Sequence, residues 1–221
     1  MSIAENLEQL RKEIPEGVTL VAVSKFHPAS MILEAYEAGQ RVFGESRVQE
    51  FLQKKKELPQ DIDWHFIGHL QTNKVKQLVG NVSLIESVDS ERLLDLIDKE
   101  SEFAGVVTNV LMQVHVAREE TKFGFYPEEL EAYFINRRFE NLKAVHICGI
   151  MGMASNTEDQ TRIREDFKKI AGIYQSIRDN SALGLVGFDI LSMGMSGDWK
   201  IAVEEGANHI RIGSAIFGNR Y

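Results

Sequence analysis

Short apolar segments and helix-like segments alternate along the whole chain, and this alternation limits the fold more than any other feature. Eight segments are mostly apolar and rich in β-branched residues, as buried parallel strands are. They span residues 18–25, 42–44, 63–68, 83–88, 106–116, 143–150, 185–191 and 209–212. Eight βα units predict a closed (β/α)8 barrel, the TIM-barrel architecture, with an extra N-terminal helix at residues 2–13.

An open, doubly wound α/β sheet is the alternative arrangement of the same elements. Such sheets more often carry a glycine-rich dinucleotide fingerprint after their first strand. Here that turn reads Lys25-Phe26-His27-Pro28 and contains no glycine, which favours the barrel. No Gly/Ser/Pro-rich linker interrupts the chain, so residues 1–221 are expected to form one domain.

Several helix ends carry recognisable signals. Pro127 suits the first turn of a helix, and the Thr157/Gln160 spacing resembles a capping box that opens a helix at 157–179. A further helix is predicted over residues 45–58. Its lysines, Lys54, Lys55 and Lys56, are expected to form a solvated face.

Composition excludes several classes of function. The formal net charge of −8 argues against a general nucleic-acid or anionic-membrane binder. One cysteine, Cys148, excludes an intrachain disulfide framework and suits a reducing compartment. No apolar run approaches the roughly 18 residues of a membrane span, so we expect a cytoplasmic protein.

Lys25 stands at the end of the first predicted strand, at the edge where α/β proteins bind ligands. One interpretation is a surface lysine whose ammonium reaches into solvent. The other is a partly desolvated amine able to form a Schiff base. The strand alone does not separate the two.

Two further strand exits have the composition of an anion site. The seventh strand leads into Ser192-Met193-Gly194-Met195-Ser196-Gly197, and the eighth leads into Gly213-Ser214. Hydroxyl groups and free backbone N–H groups bind anions at such positions. Barrels frequently bind phosphate with the loops after strands 7 and 8, so we predict a phosphate site here.

Arg211 precedes this second loop, and strand alternation predicts that it points into the barrel if Ile210 and Ile212 point outward. The alternative is an ion pair with Glu204 or Glu205. A lysine beside a phosphate site suits pyridoxal 5′-phosphate (PLP), an aldehyde with a phosphate group. A Schiff-base sugar-phosphate aldolase needs the same pair, although no acid/base partner for it is evident.

Seven sequence blocks between residues 21 and 218 carry a family resemblance, and they follow one another in that family's order. They are Val21-Ala22-Val23-Ser24-Lys25, Gly39-Gln40-Arg41-x-Phe43-Gly44-Glu45, Val48-Gln49-Glu50, Trp64-His65-Phe66-Ile67-Gly68, Leu70-Gln71-x-Asn73-Lys74, Leu191-Ser192-Met193-Gly194-Met195-Ser196 and Arg211-Ile212-Gly213 with Ala215-Ile216-Phe217-Gly218. Together they resemble the YggS/PROSC family of PLP homeostasis proteins. The resemblance covers nearly the whole chain.

The resemblance implies a barrel like the N-terminal domain of alanine racemase, the fold-type III PLP proteins. It implies an internal aldimine on Lys25, phosphate contacts from Ser196, Gly213 and Ser214, and a pyridine nitrogen near Arg211. His65 and Asn73 match further positions of the family's pocket. Family members are thought to buffer PLP or deliver it to apoenzymes, without established turnover, and we expect a monomer.

A PLP-dependent amino-acid racemase is the alternative function. Racemisation needs a base on each face of the cofactor, and racemases of this fold take one from a second domain that this sequence is not expected to contain. The chain departs from the family at Ser46, where Asn is common, and at His69, where Pro is common. No catalytic metal is expected, because Gly68 breaks any helix that would place His65 and His69 on one face.

Overall fold

Eight parallel strands form a closed barrel in the computed structural model, which describes residues 2–117 and 123–218. The strands are β1 (Thr19–Val23), β2 (Val42–Glu45), β3 (Asp63–Phe66), β4 (Leu84–Val88), β5 (Thr108–Val114), β6 (Val145–Gly152), β7 (Ile190–Ser192) and β8 (His209–Ile212). Each strand pairs with the next, and β8 pairs with β1, with Val21 opposite Arg211. The predicted (β/α)8 barrel is confirmed, and the open sheet is excluded.

Helices surround the barrel and connect its strands. They are α1 (Ile3–Glu13), α2 (Ala29–Glu37), α3 (Val48–Glu57), α4 (Val75–Leu78), α5 (Glu91–Ala104), α6 (Pro127–Ile135), α7 (Gln160–Arg178), α8 (Trp199–Glu204) and α9 (Ser214–Phe217). The extra N-terminal helix is confirmed as α1, which Ser2 and Glu5 begin with a capping box. Short 3-10 helices cover Thr72–Lys74, Arg138–Asn141 and Ser181–Leu183.

The structure corrects two predicted helix starts. Helix α7 begins at Gln160 and not at Thr157, because the Asp159 carboxylate accepts hydrogen bonds from the Thr161 and Arg162 N–H groups. Glu45 belongs to β2, where the backbone continues its pairing with Phe66 of β3. Its side chain is therefore buried inside the molecule instead of lying on the first turn of a helix.

Strand β6 contains an irregularity at Cys148. Val110 pairs with Ile147 while the next residue, Leu111, pairs with Gly149, so Cys148 is an extra residue in the ladder. Gly149 has φ +151°, and a Cβ there would collide with the carbonyl oxygen of Ile190. Burial raises the pKa of the Cys148 thiol, although the His146 Nδ1 lies 3.4 Å from its sulfur. Cys148 itself is buried.

The carboxyl ends of the strands all open at one end of the barrel. The loops that leave β1, β7 and β8 are brought together there because β8 pairs with both of its neighbours. Of the helices that the structure describes, none combines the length and the apolar character needed to cross a membrane.

Candidate functional site

A cavity of about 610 Å³ opens at the carboxyl end of the barrel strands. Five residues singled out from the sequence line it: Lys25, Ser196, Arg211, Gly213 and Ser214. Its remaining lining is largely apolar and consists of Val23, Ile67, Met151, Met153, Met195 and Gly197. The structure therefore combines one amine, one guanidinium and two hydroxyl groups in an otherwise apolar cleft.

Lys25 lies in the loop between β1 and α2. It is half-buried and lines the cavity two residues after β1 ends at Val23. The preceding residue, Ser24, is fully buried. Lys25 is therefore a lining residue of the cavity and not a fully exposed surface lysine.

Three residues after β7 and β8 form what we call the hydroxyl cup: Ser196, Gly213 and Ser214. The Gly213 N–H donates a hydrogen bond to Ser196 Oγ over 3.3 Å, which joins the two loops. A Cβ at Gly213 would lie 3.1 Å from the carbonyl oxygen of Val23, so a larger residue would press on β1. Ser214 begins α9, whose first N–H groups have no partner within the helix. The cup thus offers hydroxyl and amide donors to an anion.

Arg211 points into the barrel, as predicted, and is only 4% exposed. Its Nη1 donates to Ser192 Oγ over 2.6 Å and its Nη2 donates to the Gly152 carbonyl over 3.0 Å. Burial lowers the pKa of the guanidinium from its ordinary value, and the charge of Glu86 opposes that change.

The alternative ion pair of Arg211 with Glu204 or Glu205 is wrong. Both carboxylates bind Arg164 of α7 at 2.5 Å. The reason is geometric: the end of α8 packs against α7 on the outside of the barrel, whereas the Arg211 side chain is inside.

Glu86 is a buried carboxylate of β4 that the sequence analysis did not assign to the site. Its Oε1 lies 2.7 Å from His65 Nδ1, and its Oε2 accepts a hydrogen bond from Ser192 Oγ over 2.6 Å. Burial alone would raise the pKa of Glu86. The hydrogen bond and charge of His65, the charge of Arg211 and the hydrogen bond from Ser192 outweigh burial and lower the pKa to about 2. An acid within the five-residue buried strand Leu84–Val88 was the available signal.

His65 and Asn73 are not among the residues that line the cavity. His65 is buried in β3, where it contacts Glu86 and stacks with His209 at a ring-centroid distance of 6.2 Å. Burial lowers the pKa of His209. Asn73 is exposed on the 3-10 helix Thr72–Lys74. The structure thus places His65 in the polar interior of the barrel and Asn73 at the surface.

The expectation that Lys54 belongs to a solvated helix face is wrong. Lys54 is 6% exposed, because its ammonium binds Glu45, Glu50 and the carbonyl oxygen of Ser24. Lys56 is exposed as expected, and Lys55 donates to Asn81. Lys54 is therefore part of the support of the Lys25 loop.

Potential metal ligands are scattered in the described part of the chain. Within residues 2–117 and 123–218, no three His, Cys, Asp or Glu side chains are grouped so that they could hold a metal ion. His69, for example, contacts Asp89 at 2.9 Å and stacks on Phe123.

Comparison with known proteins identifies relatives over the full length. A family model described as "Alanine racemase, N-terminal domain" matches residues 1–221. The pyridoxal phosphate homeostasis protein of Schizosaccharomyces pombe is 36% identical over 97% of this chain and 91% of its own length. The protein of the same name from Aquifex aeolicus is 42% identical over 91% of this chain and 86% of its own length.

Solved structures similar to this chain point to the same group of proteins as the sequence relatives. PipY of Synechococcus elongatus, solved with PLP bound, is 38% identical over 98% of this chain and 100% of its own, with a TM-score of 0.90. Alanine racemase of Clostridium difficile superimposes with a TM-score of 0.76 at 17% identity, over 99% of this chain and 56% of the racemase. That second likeness establishes the shared fold, the fold-type III barrel.

Proposed function

The chain belongs to the alanine racemase N-terminal domain family and, within it, to the pyridoxal phosphate homeostasis proteins; from this premise we propose that it holds PLP as a Schiff base on Lys25. The proposed role is that of an intracellular carrier or regulator of the cofactor. The observation that carries the proposal is the cavity in which the Lys25 amine and the hydroxyl cup meet.

The donor groups of the cavity fit the chemistry of PLP. When bound, PLP supplies an electrophilic aldehyde, a phosphate and an electron-withdrawing ring. Lys25 offers the amine that an aldehyde needs. Ser196, Gly213 and Ser214 offer hydroxyl and amide groups of the kind that bind phosphate. The apolar wall of Met151, Met153 and Met195 suits the flat face of an aromatic ring.

Arg211 favours a protein that holds PLP over one that uses PLP in catalysis. The guanidinium is a hydrogen-bond donor without an acceptor, so a ring nitrogen that faces it stays unprotonated. An unprotonated ring withdraws electrons less strongly than a protonated one. Ser192 accepts a hydrogen bond from this guanidinium, and Glu86 forms an ion pair with it. These two contacts keep the guanidinium in a fixed position.

The cavity lining, as far as the structure describes it, also offers no second base. Among the described residues that line it, Lys25 is accompanied by no His, Tyr, Asp or Glu. Racemisation needs a base on each face of the cofactor. This supports the carrier over the racemase.

The proposal extends to the setting of the protein. We propose a cytoplasmic monomer that exchanges PLP with PLP-dependent apoenzymes. The single, buried cysteine supports a reducing compartment. The net charge of −8 suits a protein that avoids nucleic acid and anionic membranes.

An absorbance spectrum tests the central claim. The purified protein, incubated with PLP and freed of excess, is expected to show a visible near-violet Schiff-base band. Borohydride reduction should fix the cofactor to the peptide that contains Lys25. The band should be absent from Lys25→Ala and unchanged in Lys56→Ala, an exposed lysine on α3.

Two results would contradict the proposal. A colourless protein that takes up no PLP would overturn the cofactor assignment. Steady racemisation of alanine or another amino acid at ordinary enzymatic rates would overturn the carrier role and favour the racemase.

A further inference from the structure

Three charged side chains lie directly behind the loop that carries Lys25. Lys54 Nζ donates to Glu45 Oε1 over 2.7 Å, to Glu50 Oε1 over 2.6 Å and to the Ser24 carbonyl oxygen over 2.8 Å. An ammonium has three hydrogens to donate, so these three acceptors occupy all of them. The Lys54 side chain is 7% exposed and that of Glu45 is fully buried. Lys54 is thus fixed in one position.

This cluster holds the residue before Lys25. The Ser24 carbonyl oxygen accepts from Lys54 Nζ and also from the His27 N–H, at 3.1 Å, which closes a tight turn over residues 24–27. The Ser24 hydroxyl donates to Glu45 Oε1 over 2.6 Å. Both polar oxygens of Ser24 are therefore engaged, and the end of β1 cannot shift without breaking a buried charged network.

The same cluster holds the residue after Lys25. Phe26 has φ +69°, the left-handed conformation that a residue with a side chain adopts only at a cost. Its N–H donates to Glu50 Oε1 over 2.5 Å, and the Arg47 guanidinium lies 4.5 Å from the centre of its ring. A strained residue persists where its surroundings over-determine it, and here Glu50 provides that restraint.

We infer that Lys54, through Glu45 and Glu50, is a positioning residue that keeps the Lys25 amine directed toward the hydroxyl cup. The inference rests on the proposed function. In forming the Schiff base, the Lys25 nitrogen attacks the aldehyde carbon, a C=N bond replaces the C=O bond, and the oxygen leaves as water. A loop already held in place does not have to be ordered in that step. Lys54 itself does not contact the aldehyde.

Two sets of variants separate positioning from general stability. Glu50→Ala removes the acceptor of the Phe26 N–H, whereas Glu50→Gln retains an oxygen there. The Glu50 side chain is 21% exposed. The bond of Lys54 to Glu45 does not involve Glu50, so we expect it to remain in both variants. Lys54→Met combined with Glu45→Gln removes the buried ion pair without leaving a lone buried charge. Lys56→Met, on the same helix, is the matched control.

Three quantities are measured on apoprotein mixed with PLP. Equilibrium dialysis gives total binding, and stopped-flow absorbance gives the rate of Schiff-base formation and the fraction of bound PLP in that form. Glu50→Ala and the double variant should form the bond about tenfold more slowly and release it more readily. Total binding should stay within about twofold, because the hydroxyl cup is intact. Glu50→Gln should lie between Glu50→Ala and the wild type, and Lys56→Met should match the wild type.

The possible outcomes distinguish this inference from the proposed function on which it rests. Wild-type protein that takes up no PLP overturns the proposed function and the inference with it. In a second outcome, the wild type shows a normal Schiff-base band while Glu50→Ala and the double variant match it in the rate of Schiff-base formation and in the fraction of bound PLP in that form. That result overturns the inference alone. An equal loss of total binding and of Schiff-base fraction would assign these residues to stability only and would also overturn it. Should the double variant not fold, the comparison of Glu50→Ala with Glu50→Gln decides.

Discussion

Glu86 and Arg211 form an ion pair inside the barrel, with Glu86 Oε2 3.8 Å from Arg211 Nη1. The Ser192 hydroxyl bridges them, since it donates to Glu86 and accepts from Arg211, each over 2.6 Å. The three residues belong to β4, β7 and β8, so the bridge spans the barrel interior. The pair fixes the guanidinium that lines the cavity.

Removing the charge of Glu86 should destabilise the protein strongly. Glu86→Gln keeps the volume but leaves the buried Arg211 charge without a carboxylate, and we expect a loss of about 3 kcal/mol in the free energy of unfolding. Urea denaturation measures it. The control is Glu204→Ala, which removes an exposed carboxylate from Arg164 and should cost less than about 1 kcal/mol. Equal effects from the two substitutions would contradict this account of the pair.

Acid should weaken the fold through Glu86. Its pKa is about 2 in the folded protein against an ordinary value of 4.5, so its contribution is present above pH 4.5 and disappears as the pH falls toward 2. That contribution is about 3 kcal/mol. Unfolding free energies measured across this range should fall more steeply for the wild type than for Glu86→Gln. Parallel curves would show that another carboxylate is responsible.

His209 should add a second acid-sensitive step at higher pH. Burial lowers the pKa of His209, so the unfolded chain binds a proton more readily than the folded one. Stability should therefore begin to fall as the pH drops below the ordinary histidine pKa, about 6.5. Comparison of wild type with His209→Asn across pH 7 to 5 measures this step. A wild-type curve that is flat over this range would exclude it.

Ser196→Ala should weaken PLP binding without weakening the fold. Under the proposed function the variant removes one hydroxyl from the hydroxyl cup, and one hydrogen bond to a charged group corresponds to an increase of about tenfold in Kd. Dialysis and thermal unfolding report the two properties separately. Ser181→Ala, in an exposed 3-10 helix, is the matched control. Unchanged binding in Ser196→Ala would remove Ser196 from the site.

Alanine at two glycines should have opposite effects on stability. At Gly149 the added Cβ collides with the Ile190 carbonyl in a left-handed backbone conformation, and we expect a loss above about 2 kcal/mol. At Gly172, exposed on α7, nothing lies within 4 Å of the added Cβ, and alanine should stabilise the helix by about 0.5–1 kcal/mol. Thermal unfolding of the two variants tests both predictions. A Gly149→Ala variant as stable as the wild type would contradict the close approach of β6 and β7.

The barrel and most of the site residues could be predicted because their signals are local in the sequence. Strand periodicity gave eight strands, and the small residues after β7 and β8 pointed to the cup. Lys25 became a candidate in the same way, from its place at a strand end, although that place alone did not separate its two interpretations. Each of these inferences needed only neighbouring residues and the rule that parallel strands end on the same side.

Lys54 and Glu86 were not predicted because their environment depends on residues that are distant in the sequence. The charge run at residues 54–56 looks uniform, and only the fold shows that Lys54 faces Glu45 of β2 and the end of β1. Assigning Glu45 to a helix start hid that contact. Glu86 meets its partners from β3, β7 and β8 only when the barrel closes, so its one local signal, an acid in a mostly apolar strand, does not reveal them.

Closure of the barrel by the pairing of β1 with β8 has a consequence for biosynthesis. The Lys25 amine comes from the loop after the first strand, and the hydroxyl cup comes from the loops after the last two. While β8 is still being synthesised, the part of the chain that has emerged from the ribosome presents Lys25 without a complete hydroxyl cup. Under the proposed function, a cofactor that needs both the amine and the hydroxyl cup can be held only after translation has supplied the first strand and the last two.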